Sequence, residues 1–426
     1  MKPSYAAVLL AYLMTPGLCA QDKDRVFEYG FEQRVRNENW NNIFDYRDAT
    51  DDERGQVRYR TRLWMNLPVT HLVDLHVGLG QETNQIFQPH TPTHFDEVIF
   101  ETAYVDIKKL FAKGLYLRFG RQNIIKGEGF LFMEGGPWDG SRAIYDNAAV
   151  LGYERKKSKL ELIGIFDPRV DRFLPRINDK CRQLIEWNES ALGLYYTDNN
   201  LKKTSIEAYS FYKREFGDIR APTNPQYQPD RYLYTTGGRA VQKLPRAFSL
   251  TGEFAGQWGH ERPNRDIRAT GGYAYVKKNY GEQNRHSVSF GYWGMSGQWD
   301  PLFARWPKWS ELYIYTQFKE KGVSYWTNIG MWQGEAIYVP WKPLSLRGTY
   351  YHMNAFHPFA GSPLLYSTGA TRGDMYQARA DLKVNKNWWG HVLYENMVPG
   401  SYYAGKSPGF FFRLEITYAF AGTVPF

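Results

Sequence analysis

Cysteine is almost missing from this chain: Cys19 and Cys181 are the only two among 426 residues. Cys19 falls in a removable leader, so no intrachain disulfide can staple the mature protein. Long apolar runs are missing too. Beyond the N-terminus nothing approaches the roughly 18 consecutive apolar residues of a membrane-crossing helix, which excludes helical spans. No linker is visible, although a chain of about 400 residues would ordinarily divide into two or three soluble domains. Leucine, isoleucine and valine are too few, and tyrosine and tryptophan too many, for a soluble core of this size. Aromatic residues make up 17% of the chain, yet its mean hydropathy is −0.56. A sequence both aromatic-rich and polar fits a protein with one face toward lipid, the other toward water, and rings at the two interfaces.

What is present starts with an export signal. In residues 1–20, Lys2 supplies a positive start, Ala6 to Met14 a short apolar run, and Thr15, Pro16 and Gly17 a breaker before a cut after Ala20. Acylation of Cys19 needs a small residue before it, and Leu18 is not one. The mature domain is therefore expected over residues 21–426. The formal net charge is +9, and Lys2 leaves with the leader. An exported chain without helical spans points to one membrane architecture, the closed β-barrel.

Period-two alternation supports it. In residues 115–120, Leu115, Leu117 and Phe119 alternate with Tyr116, Arg118 and Gly120. Eighteen such antiparallel strands are predicted, the first over 26–36 and the last over 410–420. Long connections at 37–55, 125–146, 168–189, 214–230, 296–322 and 354–373 interleave with short ones such as 69–71, 155–157 and 340–343. Long outer loops and short periplasmic turns, with an even strand number and both ends in the periplasm, describe an all-β transmembrane barrel of the outer membrane. Residues 311–315 are read as part of the longest outer loop, because a strand there would break the alternation.

The faces follow from parity. Phe27, Tyr29, Phe31 and Val35 point to lipid, leaving Glu28, Glu32, Arg34 and Arg36 for the lumen. On the second strand Val57, Tyr59, Leu63, Met65 and Leu67 face out, so Arg58, Arg60 and Arg62 stack along an inner wall. Arg118, Arg379 and Arg413 are inward by the same rule, and Arg121 follows a bend expected at Gly120. A charge on the lipid face at mid-membrane costs about 2–4 kcal/mol, which sets these parities firmly.

RYRTRLW at 58–64, Gly120-Arg121-Gln122, Trp138-Asp139-Gly140-Ser141-Arg142 and Tyr145-Asp146 together resemble the alginate-export family of bacterial outer-membrane barrels. The resemblance implies an eighteen-stranded monomer whose pore is lined by arginines, partly occluded by loops, and passes an anionic polysaccharide. Two departures stand out: residues 421–426 run past the aromatic end of the last strand, and acidic lumen residues are numerous.

The chemistry agrees with an anionic substrate. A uronate polymer carries a carboxylate per sugar, and guanidinium grips carboxylate in a planar two-pronged geometry while staying charged. The expected contacts are Arg34, Arg36, Arg58, Arg60, Arg62, Arg118, Arg121, Arg142, Arg379 and Arg413. Glu32, Asp74, Asp381 and Glu415 share the lumen, so the wall is either net anion-selective or charge-balanced. The stretch 125–146 joins many turn formers to Phe130, Leu131, Phe132, Met133 and Trp138 and is expected to fold inward as a constriction, with Trp138, Asp139, Arg142 and Asp146 in it. The alternative is that its aromatics anchor it at the outer rim.

Other chemistries fit less well. His90 and His94 lack a third ligand nearby. Asp45, Asp48, Asp51, Asp52 and Glu53 lack the spacing and internal glycine of a calcium loop. His76 and His391 face inward without a serine and acid at their depth, so no hydrolytic set forms. The function expected is a passive channel for an anionic polysaccharide or oligosaccharide; the alternatives are a porin for small solutes and, further off, a barrel enzyme modifying lipid or sugar. The partners expected are outer-membrane lipid and lipopolysaccharide, the anionic saccharide and a periplasmic scaffold, for a monomer that uses no cofactor, metal or nucleic acid.

Overall fold

The computed structural model describes residues 26–93, 98–133, 145–175, 177, 187–217, 230–262, 264–304, 309–316, 327–359 and 361–425. Eighteen strands form one sheet. In chain order they are β1 (Val26–Asn41), β2 (Arg54–Pro68), β3 (Val73–Gln88), β4 (Val98–Lys108), β5 (Leu115–Gln122) and β6 (Asp146–Arg155). There follow β7 (Ser158–Asp167), β8 (Asn188–Asp198), β9 (Thr204–Phe216), β10 (Asp230–Lys243), β11 (Phe248–Glu261) and β12 (Arg265–Tyr280). The last six are β13 (His286–Met295), β14 (Ile329–Trp341), β15 (Leu344–Asn354), β16 (Thr371–Lys383), β17 (Trp388–Pro399) and β18 (Gly409–Pro425). Each strand pairs antiparallel with its neighbours in sequence, and β1 pairs with β18, so the sheet closes without a free edge.

Side-chain parity follows the sequence. Leu63, Leu192, Phe254, Phe290 and Ile416 are more than half exposed on the outer face. Their strand neighbours Arg62, Gly193, Glu253, Gly291 and Glu415 point in. Turns of two to six residues close one end, the periplasmic one, and the connections at the other are longer except for residues 262–264 between β11 and β12.

Two local expectations are corrected. The last strand does not stop at Phe420 but runs to Pro425, because β1 starts at Val26 and its edge pairs Val26 with Pro425 and Phe27 with Val424. Residues 420–422 carry no turn chemistry strong enough to stop it. At Gly120 the register stays unbroken, Tyr104 opposite Gly120 and Ala103 opposite Arg121, so Arg121 and Gln122 still belong to β5. Gly120 instead takes φ of 129° against the Ala103 carbonyl, a position any Cβ would foul. Residues 311–315 lie within the longest outer loop, as expected, and there Leu312–Tyr315 makes one turn of helix, α1.

The register shifts elsewhere, and one such bulge changes what faces the lumen. Between β3 and β4 the register passes from Gly78–Thr102 to Leu79–Phe100, leaving Glu101 as the extra residue. Both Glu101 and Thr102 are consequently buried, which delivers a carboxylate to the lumen where strict alternation would allow one polar side chain.

Candidate functional site in the barrel lumen

Two outer loops fold back into the bore. The first, residues 123–145, packs Phe130 on Trp299 with ring centroids 5.1 Å apart and edge-on to Tyr273 at 5.5 Å. Phe132 stacks on Phe303 at 5.2 Å and meets Phe211 of the wall at 4.8 Å. The second loop, residues 296–328, supplies Trp299 and Phe303, and Phe303 N–H donates to the Leu131 carbonyl at 2.9 Å. All four rings are buried, as aromatic residues surrounded by water would not be. The described part of the first loop thus lies inward, as expected; Trp138, Asp139 and Arg142 fall outside the described residues. Asp146 is fully buried and opens β6 rather than belonging to the loop.

Wall residues pin both loops. Glu128 of the first accepts from Arg239 Nη2 at 3.0 Å and Tyr275 Oη at 2.6 Å. Lys126 bonds Glu161. In the second, Lys213 Nζ donates to the Leu302 carbonyl at 2.7 Å, and Asp300 pairs with Arg231. Glu395 of β17 accepts from Ser310 Oγ at 2.8 Å, Leu312 N–H at 2.8 Å and Glu311 N–H at 3.1 Å, satisfying the first orphan amides of α1. Arg413 holds Glu311 at 2.7 Å. Burial pushes the Glu311 carboxyl up, and the Arg413 guanidinium outweighs it, so the group sits below the ordinary carboxylate range. The inward course of the second loop escaped sequence reasoning, which had no local signal for partners on β10, β17 and β18.

The arginines of β1, β2 and β18 are brought together as expected, but they are sunk in carboxylates. Register sets Arg34 opposite Arg60 and Arg36 opposite Arg58, like charges face to face. Each therefore reaches diagonally or to the next strand. Arg60 Nη2 meets Glu32 Oε1 at 2.7 Å, and Arg62 Nε meets Glu101 Oε1 at 2.6 Å across the bulge. Arg58 and Arg413 share Glu38, at 3.2 Å and 2.8 Å, with Gln56 donating to it at 2.7 Å. Arg36 bonds Glu415. Arg118 grips Asp106 through two 2.7 Å bonds, and Arg121 grips Asp171 through bonds of 2.7 and 2.8 Å while also reaching the Phe100 carbonyl. Arg34, Arg36, Arg60, Arg121 and Arg413 are buried, whereas Arg58, Arg62, Arg118 and Arg379 keep part of the side chain open.

The open space lies on the other side. A cavity of about 700 Å³ runs between the two inward loops and β12 to β17. Lys277, Arg347, Arg379, Glu335, Glu128 and Glu311 line it, with Tyr275, Trp293, Trp309 and Tyr351 as aromatic walls. Of the nine described arginines among the ten singled out from the sequence, Arg379 alone lines it. Arg347 stands directly opposite Arg379 across β15 and β16. Arg347 leans on Glu335 at 3.8 Å, and Arg379 Nη2 bonds Asp381 at 2.6 Å. Lys277 and Arg347 were legible by inward parity, but the sequence does not say which side of a barrel its loops leave open.

His76 and His391 do not form a hydrolytic set. His76 stacks on Tyr104 at 4.6 Å and meets Thr102, while His391 lies 3.5 Å from Glu415. In the acidic outer loop, Asp52 accepts from the backbone N–H of Asn42 and Phe44 at 2.6 and 2.7 Å, so it caps the loop's own turn. His90 and His94 cannot be compared, since His94 is outside the described residues.

The sequence from residue 26 to 304 matches the family described as Alginate export. The chain belongs to the alginate export family. No curated protein matches it. Among solved structures, this alginate export family barrel is similar to Pseudomonas aeruginosa OccK5 (OpdH), at 11% identity and a TM-score of 0.59, over 93% of this chain and 98% of that one. It is similar to Pseudomonas aeruginosa OccK2 (OpdF), solved in complex with glucuronate, at 12% identity and a TM-score of 0.58, over 93% and 98%. Pseudomonas aeruginosa OccK7 (OpdD) matches at 14% identity and a TM-score of 0.56, over 92% and 99%. At these identities the likeness concerns the fold. Family and barrel together make the protein a channel of the bacterial outer membrane, and they are those of channel proteins rather than enzymes.

Proposed function

We propose that this family member passes an acidic saccharide, a uronate-bearing polysaccharide or oligosaccharide, by passive diffusion through the cavity beside the inward loops. The observation that carries this is the Arg347–Arg379 pair, two guanidiniums set opposite each other on the cavity wall. Like charges facing across a strand pair repel, and a carboxylate between them relieves that repulsion while accepting planar bonds from both. Lys277 adds a third cation, and Tyr275, Trp309 and Tyr351 offer flat apolar faces to sugar rings. The partly open Arg58, Arg62 and Arg118 extend the basic path, while Arg34, Arg36, Arg60, Arg121 and Arg413 set the potential from within their ion pairs; Arg142 is assigned to the same path from its sequence alone. Glucuronate bound to OccK2 (OpdF) is a uronate in a barrel of the same fold.

A second reading, a porin for small anionic solutes, draws on the clasp of Phe132 and Phe303 that narrows the bore. Single-channel block distinguishes them. Oligouronates should block more strongly as they lengthen, and neutral oligosaccharides of equal length should block weakly. Block that ignores length supports the small-solute porin, and equal block by neutral sugars removes the acidic substrate. Deleting Gly127 to Gly136 should raise conductance and weaken that block.

A further inference from the structure

The positive charge of this chain is unevenly placed. The eight periplasmic turns carry Lys109, Lys113, Lys156, Lys157, Lys202, Lys203, Arg246, Arg285, Lys342 and Lys386 against one acid, Glu282. All ten are exposed. Arg285 pairs with Glu282 at 3.0 Å. The formal excess of the whole chain is only +9, so the rest of the barrel is close to neutral. The outer loop at 42–53 has the opposite bias, with Asp45, Asp48, Asp51, Asp52 and Glu53 against Arg47.

Three of these turns are built as one surface. Asn199 N–H donates to the Lys157 carbonyl at 3.0 Å, and Lys243 N–H donates to the Lys203 carbonyl at 2.8 Å. The turns after β6, β8 and β10 are thus bonded side by side, fixing Lys156, Lys157, Lys202, Lys203, Lys243 and Arg246 in a continuous basic arc. Exposed apolar residues share that arc: Leu160 at 43%, Leu201 at 54% and Leu244 at 42%. The nearby acids are Asp198, which accepts from Asn200 N–H at 2.7 Å and Tyr196 Oη at 2.9 Å and keeps its charge, and exposed Glu154, two against six cations. A two-residue turn such as 156–157 cannot rise far above the lipid-facing Tyr153 and Leu160, so its ammonium groups stay at head-group depth.

We propose that this arc is a binding site for anionic phospholipid of the periplasmic leaflet, with phosphates on the ammonium groups and acyl chains on Leu160, Leu201 and Leu244. Clustered cations beside exposed aliphatic side chains match a charged head group joined to hydrocarbon. A sugar polymer arriving from the periplasm would use the charges and leave the leucines unexplained. The site is independent of what passes through the pore.

The test compares lipid retained by the full chain from mixed micelles of phosphatidylglycerol and phosphatidylcholine, read by native mass spectrometry. The wild type should retain phosphatidylglycerol preferentially, and retention should fall with salt. Replacing Lys156, Lys157, Lys202 and Lys203 together by Gln should lower it by at least about tenfold, while Arg262→Gln with Arg268→Gln at the outer end should leave it unchanged. Equal retention of the two lipids by the wild type overturns the proposal without needing any variant. So does undiminished retention by a folded quadruple variant, and so does displacement of the lipid by soluble oligouronate, which would reassign the arc to polymer docking.

Discussion

The two sides of the lumen use the same residue types to opposite ends. Around β1, β2 and β18 the arginines lie in register with carboxylates one step away, and Glu38, fully buried, serves Arg58, Arg413 and Gln56 at once. Around β12 to β16 the cations are fewer and open to a cavity, which Glu128, Glu311, Glu335 and Glu395 line beside them. A guanidinium surrounded by buried carboxylates is a structural element, because removing one partner strands the other in low dielectric. One that faces a water-filled bore keeps its field available to ions. The position of the loops, more than the number of arginines, decides which role each plays.

The sharpest way to break that contrast is Glu38→Gln. It removes the charge shared by Arg58 and Arg413 and should cost about 3–5 kcal/mol of stability, read from urea unfolding of the folded barrel. A loss comparable to that of a cavity-wall arginine would erase the distinction. Next comes Glu128→Gln in the first loop, where two charge-assisted bonds weaken and about 1–3 kcal/mol is lost locally. Its readout is open-channel noise, which should grow while the unfolding midpoint stays near wild type. Smallest in stability is Arg379→Ala, under about 1 kcal/mol because its pair with Asp381 is partly solvated. Here the reversal potential should move toward cations, whereas Arg60→Ala should destabilise the barrel and shift the potential less. An Arg379 variant with unchanged potential would return the selectivity to the buried arginines.

Much of the fold was legible in the sequence. Strand number and parity were plain because mispointing a charge such as Arg60 into lipid is expensive, so Tyr59 and Arg60 alternate cleanly. The likeness in RYRTRLW likewise led to the family. The bulge at Glu101 was hidden, since one extra residue in Phe100-Glu101-Thr102 leaves the local pattern of apolar and polar residues plausible either way. The second inward loop was hidden for a different reason: Asp300 and Glu311 read as solvated loop acids until Arg231 and Arg413, distant in sequence, are placed beside them. The cavity depends on those loops, so Lys277 and Arg347 could be assigned to the lumen but not to its open side.

The seam between β1 and β18 governs how the barrel comes into being. It joins Val26 to Pro425 and Asn41 to Phe410, while every other pairing links consecutive strands. No hairpin can template it. The entropy of closing so long a loop grows only logarithmically, so the finished barrel is not greatly penalised, but the search for the partner is slow. Until it succeeds, two long strands stand with unpaired backbone groups. Closure is therefore the step at which an assembly catalyst has most to accelerate, and at which a delayed chain is most exposed to pairing with a neighbour.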